Sequence, residues 1–339
     1  MKAIVYEKPI EWRYTDVPDP TPGPGQVRLK VVASGVCGTD VHLHAGEFGP
    51  TYPLTPGHEI VGVIDGVGDG VVGRVDGELI ALDNMVSCGV CTQCRRARPQ
   101  FCATMRALGL TDPGGFAEYV IAPAAKCHNA DALGANVAVL VEPTACVVHG
   151  LDVLGLRPGS DVLVVGSGPT GLILSQLLRQ SGAGRVTVAA RTPFKLELAA
   201  AQGADETVLI KRDDDEGWRK QLHALAPDGF DVVVDATGSV EVLHDCLSLL
   251  GIGGTLFVYG MTEEAAELVV SPYDVFRREL VIKGSFSQGF SFDRAITLLG
   301  SGRVSVDGLV THRFGLPDYG RAIEAVAHDS SCIKAVIAP

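Results

Sequence analysis

Asp161-Val-Leu-Val-Val-Gly166-Ser-Gly168-Pro169-Thr170-Gly171-Leu-Ile-Leu-Ser-Gln-Leu-Leu178 is the stretch that decides the fold. Its opening run is continuously apolar, which predicts a strand buried on both faces; the leucine-rich segment after it predicts a helix. Between them, three glycines stand in G-x-G-x-x-G spacing. The first makes a tight turn, the second lets backbone approach a pyrophosphate, and the third lets helix and strand pack closely. The helix N-terminus adds unpaired N–H groups and a positive dipole end. A glycine-rich turn alone is a weak signal; its place between strand and helix gives it weight. Gly166, Gly168, Pro169, Thr170 and Gly171 are therefore expected to hold a dinucleotide.

Downstream, apolar strands at Arg185–Ala189, Thr207–Ile210, Asp231–Asp235 and Gly254–Tyr259 are separated by helical patterns such as Phe194–Gln202. Strands alternating with helices predict a doubly wound α/β parallel sheet. Upstream the texture differs. Short alternating runs, Gln26–Val32 and Ile60–Asp65, are separated by turn signals such as Pro22-Gly-Pro-Gly25, as in a β-rich, barrel-like domain. The closing run Ile333–Ile337 predicts a strand that returns to this first domain.

The end of the second strand speaks to the cofactor. An NAD site usually carries Asp or Glu about twenty residues beyond the glycines, gripping the ribose hydroxyls. Here the chain reads Ala190-Arg191-Thr192-Pro-Phe-Lys195. The acid is missing and an arginine follows, which forms paired, charge-assisted bonds with a 2′-phosphate. Ala190, Arg191, Thr192 and Lys195 are thus expected at the adenosine ribose, with NADP(H) favoured over NAD(H).

A second signal is Cys88-Gly-Val-Cys91-Thr-Gln-Cys94, with Cys102 following. Such spacing lets four thiolates converge on one Zn²⁺, and a site closed by four protein ligands is structural. A disulfide cluster is the bland alternative; the other five cysteines are scattered singly, which weighs against it. Arg95, Arg96 and Arg98 follow at once and would partly offset the charge of a zinc–tetrathiolate unit.

Composition bounds the function. The 339 residues suffice for two domains, and 46% hydrophobic with 20% charged residues is ordinary globular usage. A net charge of −12 argues against a nucleic-acid surface, which needs a basic stripe. No apolar stretch reaches the ~20 residues that span a bilayer. Met1-Lys-Ala-Ile-Val-Tyr runs straight into a strand pattern with no leader to cleave, and free cysteines with a thiolate zinc site favour a reducing, cytoplasmic setting.

Cys37, in Gly35-Val-Cys37-Gly-Thr39-Asp, and the pair His58-Glu59, in Pro56-Gly-His58-Glu59, form a possible second ligand set with a position left open for chemistry. By themselves these are weak signals. Together with the four-cysteine lobe, Gly114-Gly-Phe-Ala-Glu-Tyr119, Val141-Glu142-Pro143, the glycine turn and Asp235-Ala-Thr237-Gly238, in this order along nearly the whole chain, they resemble the zinc-dependent medium-chain dehydrogenase/reductase (alcohol dehydrogenase) family, especially its sorbitol/polyol and threonine dehydrogenase branches. The resemblance implies a GroES-like catalytic domain from residues 1–152 and 287–339, with a zinc lobe at about 84–105, and a Rossmann domain over 153–286.

It also implies roles. Cys37 and His58 match catalytic zinc ligands; Glu59 matches a residue that binds zinc or exchanges with water; Glu142 matches a further ligand position. Thr39 matches the hydroxyl that bonds the substrate oxygen, and His42 the imidazole that passes the proton towards solvent. Thr237 and Gly238 fall at the cofactor, and Phe48, Tyr52, Phe116 and Phe286 are candidate pocket walls. Two zincs per chain are implied. The edge strand near Val281–Lys283 and the zinc lobe suggest a homotetramer, with a homodimer as the alternative. The activity implied is interconversion of a secondary alcohol, polyol or sugar-like, with its ketone. Threonine dehydrogenation or simple-alcohol oxidation is the nearest alternative, and a zinc-free quinone or enoyl reductase or a non-enzymatic protein on the same fold is remoter. Residues 70–79 depart from the family's usual strand entry, at a surface turn.

Overall fold

In the computed structural model, which describes residues 1–47, 49–211 and 216–339, Asp161–Val165 is a central strand of a six-stranded sheet ordered Glu206–Leu209, Arg185–Ala190, Asp161–Val165, Phe230–Asp235, Leu250–Val258, Val281–Gly284. Every pairing is parallel. Numbered along the chain this is the 3-2-1-4-5-6 order of a doubly wound dinucleotide-binding sheet. The reversal of direction lies beside the first strand, where the glycine turn leaves the sheet. Leu163, Val165, Phe230, Val233 and Leu256 pack with Trp218 and Leu222 in one buried cluster, as expected for strands covered by helices.

A seven-stranded sheet is largely antiparallel. Its order is Val310–Phe314, Lys334–Ile337, Gln26–Val36, Glu59–Val67, Leu79–Leu82, Cys127–Asn129, with Tyr119–Pro123 also paired to Gln26–Val36. Val27, Leu29, Val31, Ile60, Ile64, Ile80 and Leu82 face one buried cluster, which is the period-two pattern of a half-buried strand. The C-terminal strand lies against the N-terminal part of the chain, with Ala335 opposite Val36 and Val336 opposite Gly35. Three neighbouring strands therefore bring residues from three distant segments to one place.

The chain divides into Met1–Ala145 with Gln288–Pro339, and Cys146–Ser287. The first division falls inside the helix Val141–Leu154. No helix among the described residues is long and apolar enough to cross a membrane.

Candidate active site

Cys37 follows the strand Gln26–Val36 and caps the helix Gly38–Ala45. Its Sγ accepts the Thr39 N–H at 3.5 Å, and the Asp40 carboxylate accepts the Cys37 N–H at 2.9 Å. This is a capping box with sulfur in the usual hydroxyl position. The Thr39 hydroxyl lies 3.7 Å from the same sulfur.

His58 and Glu59 enter from the neighbouring strand, where Glu59 sits opposite Gly35. A Cβ on Gly35 would lie 1.8 Å from Glu59 Oε2, so only glycine leaves room for the carboxylate. Gly57 (φ +94°) turns the chain into His58, and a Cβ there would strike the Phe116 ring at 2.7 Å. Cys37, His58 and Glu59 each offer a ligand atom within 4.8 Å of the others. His58 and Glu59 are buried. The imidazole, thiol and carboxylate make a donor set suited to zinc. Glu142, in the first turn of Val141–Leu154, is outside this set of three among the described residues.

The surroundings are built for charge. Asp40 is fully buried, and its Oδ1 stands 3.5 Å from His58 Nδ1 without a regular hydrogen bond on either atom. Such buried polar atoms are rarely orphaned. The approach leaves His58 Nε2 as the nitrogen available to a metal, in the manner of carboxylate–histidine–metal arrangements. Burial lowers the His58 pKa, but Asp40 and Cys37 outweigh it and the net shift is well upward. Lys334 Nζ bonds both Glu59 oxygens, at 2.6 and 2.7 Å, and the Val36 carbonyl at 3.2 Å. Burial alone would push this ammonium down; Glu59 first, then Cys37 and Glu142, hold it at about 12. It therefore remains charged and matches the buried carboxylate.

Lys334 and Asp40 were not singled out from the sequence as site residues. A lone lysine in the apolar run Cys332-Ile-Lys-Ala-Val-Ile337 was the available signal for one, and an acid three residues after a capping position the signal for the other.

Cys88, Cys91, Cys94 and Cys102 likewise bring their sulfurs within 4.8 Å of one another. The Cys88 and Cys91 N–H groups donate to Cys102 Sγ and Cys88 Sγ, both at 3.3 Å, and Gly89 (φ +71°) turns the loop. All nine cysteines are free, and Cys91 and Cys94 sulfurs are 3.5 Å apart, far beyond a covalent bond. Backbone N–H groups of Cys94 and Ala103 lower the Cys91 thiol to about 6, whereas burial and the neighbouring Cys91 sulfur raise the Cys94 thiol to about 11. Arg95, Arg96 and Arg98 are exposed beside the cluster.

At the glycine turn the three glycines separate by role. A Cβ on Gly166 (φ +115°) would meet the Ala236 backbone at 2.9 Å, and one on Gly171 would meet the Gly166 carbonyl at 2.3 Å. A Cβ on Gly168 would meet nothing within 4 Å. Packing therefore requires the first and third, while the second faces space into which a phosphate can come. Gly168 caps the helix Pro169–Gln180 with no side-chain bond, leaving first-turn N–H groups for an anion. These features fit a dinucleotide.

The strand Arg185–Ala190 ends in buried Ala190, Arg191 is exposed, and Thr192 precedes the helix Pro193–Ala201. Lys195 Nζ lies over the Phe194 ring at 5.8 Å. The buried Asp235 accepts bonds from Thr237 N–H and hydroxyl and from Gly238 N–H, so Thr237 serves the shape of its own loop. Gly238 (φ +73°) has the Met261 carbonyl 2.0 Å from where a Cβ would stand. Of the candidate walls, Phe116 is fully buried beside Tyr319, Tyr52 joins the same cluster, Phe286 is 46% exposed, and Phe48 lies outside the described residues.

Comparison with known proteins agrees with this layout. The family description "Alcohol dehydrogenase GroES-like domain" matches residues 23–132, and "Zinc-binding dehydrogenase" matches residues 169–301. The chain is 41% identical to D-arabinitol dehydrogenase 1 of Uromyces fabae, over 100% of this chain and 97% of that protein. Among solved structures, a chain from Sinorhizobium meliloti described as a zinc-binding dehydrogenase and bound to NADP superposes with a TM-score of 0.91 at 34% identity, covering 100% of this chain and 99% of its own. An alcohol dehydrogenase from Escherichia coli CFT073 complexed with NADH gives 0.91 at 31%, with the same coverage. With a relative this similar along its whole length, both halves matched and the expected ligand types brought together, the chain belongs to the zinc-dependent medium-chain alcohol dehydrogenase family.

Proposed function

We propose that this protein is an NADP(H)-linked, zinc-dependent dehydrogenase that interconverts a secondary alcohol of a polyol or sugar-like substrate with its ketone. The observation that carries the reading is the convergence of Cys37, His58 and Glu59, with Thr39 beside the sulfur and Lys334 behind the carboxylate. When bound, a zinc ion on Cys37, His58 and a carboxylate from Glu59 or Glu142 supplies Lewis acidity that brings alcohol ionisation towards neutral pH, and the nicotinamide accepts the carbinol hydride. A second zinc on Cys88, Cys91, Cys94 and Cys102 is structural, giving two per chain.

The chain's own residues do the rest. The Thr39 N–H donates to the Cys37 sulfur, and Asp40 orients His58. The Lys334 ammonium stands as the counter-charge to Glu59, so the fold holds no uncompensated buried carboxylate there. The Thr39 hydroxyl takes the substrate's proton and passes it to His42, an imidazole suited to exchange near neutrality. Gly168 and the first turn after it hold the pyrophosphate. Arg191, Thr192 and Lys195 engage the 2′-phosphate over buried Ala190, where an acid would repel it. Thr237 and Gly238 border the cofactor.

The polyol reading is supported by the named activity of the Uromyces fabae relative and by oxygen ligands that suit a polyhydroxylated substrate. The exposed Val281 and Ile282 on the edge strand, with Tyr273 and Phe276 exposed nearby in sequence, support self-association, and we take the homotetramer as the assembly. The free cysteines support a cytoplasmic setting.

The deciding experiment measures kcat/KM for D-arabinitol, L-threonine and 2-butanol with NADP⁺ and with NAD⁺. The reading expects D-arabinitol with NADP⁺ to lead. A lead for L-threonine or 2-butanol would replace the polyol assignment. Equal or better use of NAD⁺ would make Arg191 a surface residue.

A further inference from the structure

The helix Gly38–Ala45 ends in a turn whose geometry decides what faces His42. Gly46 adopts φ +95°, and its N–H donates to the Leu43 carbonyl at 3.0 Å. The Glu47 N–H donates to the His42 carbonyl at 3.0 Å. These two bonds make a Schellman cap, which folds the residue after the glycine back over the helix residue five before it. In most such caps that contact is apolar. Here it is polar, since Glu47 Oε2 lies 2.5 Å from His42 Nδ1, with the two side chains 33% and 26% exposed. Gly46 is the hinge: besides its backbone angle, a Cβ there would lie 2.6 Å from Pro9 Cγ. The other histidine of the helix end is committed elsewhere, with His44 Nδ1 2.6 Å from the Tyr6 hydroxyl.

An ionised carboxylate only accepts hydrogen bonds, so this contact keeps a proton on His42 Nδ1. In the neutral ring Nε2 is then bare and able to accept a proton. Without the carboxylate, either nitrogen could carry the proton, and the tautomer with a protonated Nε2 cannot accept there.

We infer that Glu47 is a positioning residue that fixes His42 in the tautomer a proton acceptor needs, held in place by the helix-capping turn at Gly46. The inference rests on the proposed relay through His42 and adds the group that orients it.

Two measurements on the zinc-loaded enzyme test it. The first is ¹⁵N NMR of histidine-labelled protein at alkaline pH, with His42 assigned by its disappearance in His42→Gln. Protonated Nδ1 with bare Nε2 is expected in the wild type, and a shift towards protonated Nε2 in Glu47→Ala. The second is kcat for D-arabinitol oxidation. Glu47→Ala should lower it roughly tenfold, part of the ~10²–10⁴ that a positioned proton acceptor supplies, with KM little changed. In a His42→Ala background the same change should matter by about twofold or less, because the group it orients is gone. Glu47→Gln, which keeps an acceptor oxygen, should recover part of the loss. A wild-type ring protonated on Nε2, or a Glu47→Ala effect equally large without His42, overturns the inference while leaving the relay standing. Full turnover in His42→Ala would instead remove the relay, and the inference with it.

Discussion

The two candidate ligand sets of this protein reach the same closeness by opposite routes. Cys88, Cys91, Cys94 and Cys102 lie within one loop, and the N–H groups that support the sulfurs belong to that loop. Cys37, His58 and Glu59 come from two neighbouring strands, and the cation that balances them, Lys334, is 275 residues from Glu59 along the chain. The first set can form as soon as its loop folds around a metal. The second exists only after the sheet closes, and it confines opposite charges where water cannot screen them. A locally made site is therefore separable from the fold, whereas an assembled, buried one ties chemistry to the fold's own electrostatics.

The largest expected effect breaks the assembled set at its centre. Cys37→Ser should lower turnover by roughly a thousandfold or more, consistent with several kcal/mol of metal assistance. One metal should be lost and the fold kept. Elemental analysis with kcat checks it, and an active variant holding both metals would end the distinction between the sites.

Next comes the balancing charge. Lys334→Met leaves Glu59 buried and unmatched, so about 3–5 kcal/mol of stability should be lost, read from denaturant unfolding. Adding Glu59→Gln should recover most of it. If the single variant unfolds like the wild type, the buried pair contributes far less than its geometry suggests.

The cofactor end of the second strand is a third, locally made set. Ala190→Asp with Arg191→Leu should reverse the NADP⁺ preference. The wild-type preference should be about 1.5–3 kcal/mol for the charge-assisted contact, or roughly 10- to 150-fold, in kcat/KM for the two cofactors with one substrate. An unchanged ratio would move 2′-phosphate recognition elsewhere.

The smallest effect on chemistry is expected at the lobe. Cys94→Ser should lose the other metal and lower Tm by several degrees, about 2–4 °C per kcal/mol for a unit of this size, while the remaining folded protein keeps kcat within about twofold. Mild chelation should do the same to the wild type, because Cys88 is exposed whereas His58 is buried. If chelation removes activity first, the two sites are not separable in the way their construction implies.

What could be seen in the chain by itself was whatever is local. The glycine turn declared strand, turn and helix within eighteen residues, because backbone sterics and helix-end chemistry act over that range. The four cysteines declared their convergence by spacing, and Ala190-Arg191 set only an expectation about the cofactor by adjacency. Cys37, His58 and Glu59 became visible through resemblance, since nothing in their spacing requires that they meet.

Tertiary structure alone decided the rest. Pairing of three strands set Lys334 against both oxygens of Glu59 and made Gly35 the one residue type that leaves room for them. It closed Asp40 around His58, and it left Glu142 outside the set of three. Even the short-range pairing of Glu47 with His42 depended on a left-handed glycine whose side of the chain is filled by Pro9. The physical reason is common to all of these. Burial multiplies the strength of charge interactions, and burial is a property of which strands lie side by side, which the order of residues encodes only through the whole fold.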